Sequence, residues 1–151
     1  MEPTYNIYCP NIRDVEIMPG KFKKKYDDSM DYFEIAIEIP DVYHHSKKEV
    51  NELYVKRRTL IDIIERHDLE EKNDINVSEP YVIQKVDDNH KIICGLAMRV
   101  STKNTKENIF HLKEILLSYI YYDPKPWGNP YIEAFSKIVN DINEYVFFLK
   151  G

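Results

Sequence analysis

Glycine is scarce in this 151-residue chain, at four residues, and the chain holds only two cysteines and one tryptophan. Two cysteines build no disulfide framework, and neither Cys9 nor Cys94 has the Cys-x-x-Cys partner from which a zinc site starts. The adjacent pair His44-His45 offers no metal site, because neighbours on an extended chain point to opposite faces. No metal and no cofactor are therefore expected. A basic excess is also missing. At a net charge of −5 the chain lacks the cationic surplus on which phosphate binding rests. The basic runs Lys21–Lys25 and Lys56–Arg58 are each followed by acidic residues. General nucleic-acid binding is not expected. No apolar run approaches the length of a membrane span, and Met-Glu-Pro-Thr-Tyr at the start lacks a leader's basic-then-apolar pattern. The expectation is a protein of a reducing compartment, intracellular (cytoplasmic or nuclear), with no membrane partner.

What the chain does contain is apolar and charged residues in globular proportion, 43% and 31%. That mixture belongs to a folded soluble domain, not a disordered one. The length suffices to bury a core without staples, and no repeat or linker composition divides it, so 1–151 is expected to be one domain.

Strand signals come first. Thr4–Cys9 and Val15–Met18 read as short strands, the second ended by Pro19-Gly20, and Lys21–Asp28 reads as a polar loop. Tyr32–Ile39 is the clearest strand, with Phe33, Ile35, Ile37 and Ile39 on one face and Glu34 and Glu38 on the other. Ser46-Lys-Lys-Glu49 has capping-box spacing, and Leu53, Leu60, Ile61 and Ile64 recur helically, which predicts a helix over 47–67. Residues 70–78 read as an acidic surface loop. Tyr81–Lys85 and Lys91–Val100 read as two strands joined by the turn Asp87-Asp-Asn-His90. Helices are predicted over 106–121 and 131–148, each with a broad apolar stripe. The fold class is α+β, an antiparallel sheet with helices packed on it.

Ile115-Leu-Leu-Ser118, Asp123-Pro-Lys-Pro126, Asn129-Pro130 and Glu133-Ala134 stand in order downstream of Asn89-His-Lys-Ile-Ile-Cys94. Read as a unit, they resemble the C-terminal half of ubiquitin-conjugating enzymes, over about residues 86–149. Phe33–Pro40 with Asp41-Val-Tyr43 is more loosely similar to an upstream segment of that family. The resemblance implies a conjugating-enzyme-like fold and Cys94 as thioester nucleophile. It also implies an amide, from Gln84 or Asn89, that steadies the oxyanion. The partners it implies are a ubiquitin-like modifier, an activating enzyme or a ligase. The family's His-Pro-Asn motif is replaced here by Gln84-Lys-Val86, so the resemblance fits a catalytically silent member as well as an active one.

Each of these residues also has a plainer reading. Cys94 sits in Ile92-Ile-Cys-Gly-Leu96, where a buried, inert cysteine is the ordinary occupant. Pro126, Trp127, Asn129 and Tyr131, in the aromatic, proline-stiffened loop, are either a partner-binding platform or the loop's own small core. With no complete catalytic constellation, the alternative function is a non-enzymatic interaction factor that binds one protein partner.

Overall fold

Phe33, Ile35, Ile37 and Ile39 recur every second residue, and an extended chain puts all four on one face. The computed structural model describes residues 6–39, 47–67, 75–86, 88–90, 92–122 and 130–149, and in it these four line the inner face of β4 (Tyr32–Ile39), fully buried. β7 (Ile92–Lys103) runs antiparallel beside β4, placing Thr102, Val100, Met98 and Leu96 opposite those four side chains in turn. β1 (Asn6–Tyr8) pairs with the other edge of β4. The far edge of β7 carries β5 (Asn76–Val77) and then β6 (Tyr81–Val86). Between those two short strands Ser78 keeps the ladder closed. Its N–H donates to the Arg99 carbonyl at 2.8 Å, and its hydroxyl accepts from the Arg99 N–H at 2.9 Å. Pro80, with no N–H to give, follows at the break.

α1 (Lys47–His67), α2 (Lys106–Tyr122) and α3 (Pro130–Phe148) supply the other half of the core. Their buried residues recur at helical spacings of three, four or seven: Leu53, Leu60 and Ile63 on α1; Ile109, Leu112, Leu116 and Tyr119 on α2; Phe135, Ile138, Ile142 and Tyr145 on α3. These side chains and the inner sheet face form one cluster. Thr105 caps α2, its hydroxyl accepting from the Asn108 N–H at 3.3 Å. Pro130 opens α3, where its fixed φ suits the first turn and no N–H is lost. The α+β architecture read from the sequence is the one found.

Two expectations need correction. Lys21–Asp28 is not simply a loop: β3 (Lys21–Tyr26) pairs along β2 (Ile12–Met18) as a separate two-stranded ribbon. Its five-residue run of lysine and phenylalanine hides the strand, because both faces of its outer part are in water. The turn is Pro19-Gly20, where Gly20 takes φ +80°, a backbone that favours glycine. Likewise Asn76–Val77, read as loop, is a strand. Two residues show no periodicity, and their pairing comes from the edge that β7 offers.

The corner between β1 and β2 is held by Asn11, a fully buried side chain. Its Oδ1 accepts from the Glu34 N–H at 3.2 Å, and its Nδ2 donates to the carbonyls of Asp27 and Tyr32, each at 3.2 Å. Cys9 lies next to it, 2% exposed. Burial, ahead of every other cause, pushes the Cys9 thiol from its ordinary 9.0 up to about 12. The unfolded thiol ionises near 9 while the folded one holds its proton, so this stabilisation is complete below about pH 9 and fades as pH rises toward 12. Three pKa units correspond to a loss of about 4 kcal/mol across that window. Urea midpoints measured on this alkaline limb are expected to fall more steeply for the wild type than for Cys9→Ala. Parallel curves would show that the thiol does not carry the slope.

Candidate functional site

β7 is longer than the strand it shares with the core. β4 pairs with its residues 96–103, whereas β6 pairs with 92–97. The β6–β7 ribbon therefore runs on past β4, and its outer end is where burial fails. Residues paired across antiparallel strands share a face, so Val82 lies beside Leu96 and Gln84 beside Cys94, with Val86 two residues on from Gln84 along the same face. Leu96 is still core at 4% exposure, Cys94 is half-buried, and Val82 and Val86 are 52% and 67% exposed. Gln84 is exposed between the two valines. One face thus passes from core to water within a few residues.

Register decides which of the two amide candidates meets the cysteine. Gln84 is the Cα partner of Cys94, so their side chains leave the same face at adjacent positions. Asn89 sits in the turn, exposed, beyond the last pair Val86–Ile92. At about 3.3 Å of rise per residue, two residues of strand separate Cys94 from that last pair. The structure brings Gln84 to Cys94 and leaves Asn89 at the tip. His90 closes the turn at φ +61°, a left-handed conformation in which histidine is among the enriched non-glycine residues.

Pro126, Trp127 and Asn129 lie outside the described residues. Of Tyr131 only its place in the first turn of α3 is described. What the sequence reading missed is Val82 and Val86. A signal was present: the apolar run of β7 is longer than that of β4, so one end of it must leave the sheet without a β4 partner.

On the opposite face Tyr81 pairs with Ala97 and Ile83 with Gly95. Arg99 donates to the Tyr81 hydroxyl at 2.8 Å and lies 5.7 Å from the centre of that ring, a cation–π contact. Chemically, the Cys94 face offers one partly accessible thiol, one adjacent carboxamide and two flanking apolar side chains. Among the described residues no three His, Cys, Asp or Glu side chains gather into a set that would hold a metal ion. No described helix is long and apolar enough to cross a membrane. No protein-family model, curated protein or solved structure matches this chain.

Proposed function

We propose that this protein is a non-enzymatic interaction factor whose contact surface is the projecting end of the β6–β7 ribbon. The observation that carries the reading is the exposure of Val82 and Val86, at 52% and 67%, on the face that also presents Gln84 and Cys94. β-Branched side chains in water at the end of a ribbon gain by burial against a partner, at about 25 cal/mol for each Å² of apolar surface removed. The flanking carboxamide supplies a hydrogen bond that fixes orientation. The test is a photo-crosslinking residue at position 86 in cells that make the protein. A discrete adduct is expected, absent when the same residue replaces the exposed Asn143 on α3. Identical adducts from the two positions would sink the reading.

The pairing of Gln84 with Cys94 favours a second reading, thioester transfer of a ubiquitin-like modifier. In it the Cys94 thiolate attacks the modifier's thioester, the activating enzyme's thiol departs, and the Gln84 amide donates to the oxyanion. Native protein treated with a thiol reagent is expected to label at Cys94, half-buried, well before Cys9, buried and with its thiol pushed up to about 12. Fast labelling retained in Cys94→Ser would overturn that order. Charging with activating enzyme, ATP and a ubiquitin-like protein then separates the two functions. A thiol-sensitive adduct lost in Cys94→Ser supports transfer, and no adduct leaves the interaction factor.

A further inference from the structure

We propose that the β2–β3 ribbon is a membrane-surface contact that seats its apex in an anionic phospholipid interface. A two-stranded ribbon has no interior, so side chains on the face turned from the body stay in water. The cross-strand pairs Arg13–Lys25, Val15–Lys23 and Met18–Lys21 define that outer face. All six residues are exposed and none is acidic. Like charges set opposite each other, as Arg13 and Lys25 are, repel, and Asp27 stands 3.8 Å from Arg13 only at the ribbon's base.

The other face is built differently. There Asp14 lies opposite Lys24 and Ile12 opposite Tyr26. Lys24 pairs with Asp141 on α3, and the Tyr26 hydroxyl donates to Glu144 at 2.9 Å. The base of the ribbon is thus tied to the body while its apex projects. Around the Pro19-Gly20 turn, Ile17, Met18 and Phe22 are 62%, 52% and 68% exposed.

Apolar groups around the apex, with Lys21 beside Met18 and Lys23 and Lys25 further back along the stem, suit an interfacial wedge. The apex enters the acyl boundary while the cations remain among the anionic headgroups. A nucleic-acid backbone gains nothing from the apolar apex, whereas an acyl boundary does. The charge distribution also sets the approach. Residues 12–26 hold five cations and two anions in a chain of net charge −5, so an anionic surface draws the ribbon and repels the body. A peripheral contact needs no spanning segment, so the lack of a long apolar helix leaves it open.

The test is sedimentation of the full chain with vesicles. Binding is expected to phosphatidylcholine vesicles that contain phosphatidylserine, and not to phosphatidylcholine alone, weakening as salt rises. Lys23→Glu with Lys25→Glu should weaken it by at least ~100-fold, since each unit of charge near such a surface is worth roughly fivefold and the two reversals change four units. Met18→Ser with Phe22→Ser should weaken it about tenfold or more while leaving the salt dependence in place. All four positions are exposed, so unchanged thermal melting shows that both variants remain folded. No sedimentation with the anionic vesicles would overturn the proposal, as would equal binding to both vesicle types. So would binding to duplex DNA or polyglutamate, instead of vesicles, that is indifferent to Met18 and Phe22.

Discussion

Asn11→Leu is expected to lower folding stability by about 3 kcal/mol, although leucine matches asparagine in size and shape. The reason lies in what surrounds the side chain. Asn11 is fully buried, and its amide serves four groups at once: the Glu34 N–H, the carbonyls of Asp27 and Tyr32, and the Tyr145 hydroxyl at 3.5 Å. β1 leaves β4 at this corner, and the Asn11 side chain takes over the pairing that β1 gives up. Leucine would leave the Glu34 N–H unmade and strip the two carbonyls of a donor. A buried polar group without its partner costs about 1–3 kcal/mol, so a loss near the upper end follows from several groups orphaned together. In a chain of this length each kcal/mol moves the melting point by roughly 2–4 °C. Urea unfolding should show a lower midpoint at unchanged slope. A loss below about 1 kcal/mol would mean that the corner closes without the amide.

No pattern in the sequence marks Asn11, and the reason is physical. Alternation and helical spacing report apolar surface that must be buried, so Phe33–Ile39 and the stripes of α2 and α3 were legible. A buried amide has no period. It is needed where a strand turns away, and turn positions hold asparagine on exposed loops just as often. β3 was obscured for the opposite reason: Lys23, Lys24 and Lys25 stand in a row and its one phenylalanine is exposed, so there was no alternation of burial to read. The candidate site was half legible. The turn at residues 88–90 joins the two strands whose register puts Gln84 opposite Cys94. How far the ribbon outruns the core depends on where β4 stops, and that is a tertiary fact.

Tyr145→Ala is expected to cost about 4–5 kcal/mol, the upper range for deleting a buried aromatic ring. Tyr145 is fully buried, with ring centres 5.2 Å from Phe33, 5.9 Å from Tyr26 and 6.3 Å from Phe148. It joins β4, the base of the β2–β3 ribbon and its own helix, so no single element can collapse into the space it leaves. The hydroxyl adds a smaller share. It lies 2.9 Å from the Asn104 Oδ1 and 3.1 Å from the Asp27 carbonyl, and Tyr145→Phe removes only that, for about 1–2 kcal/mol. Burial first of all raises the Tyr145 hydroxyl above its ordinary pKa of 10, so it remains a donor well into alkaline solution. Asn104 in turn donates from Nδ2 to the Met30 carbonyl at 2.9 Å, which ties the β7–α2 turn to the segment before β4. Asn11, Tyr145 and Asn104 are thus one network, and networks are not additive. In an Asn11→Leu background the hydroxyl has already lost a donor, so Tyr145→Phe should cost measurably less than in the wild type. Equal costs in the two backgrounds would mean that the residues act separately and that the corner is held by the Asn11 amide alone.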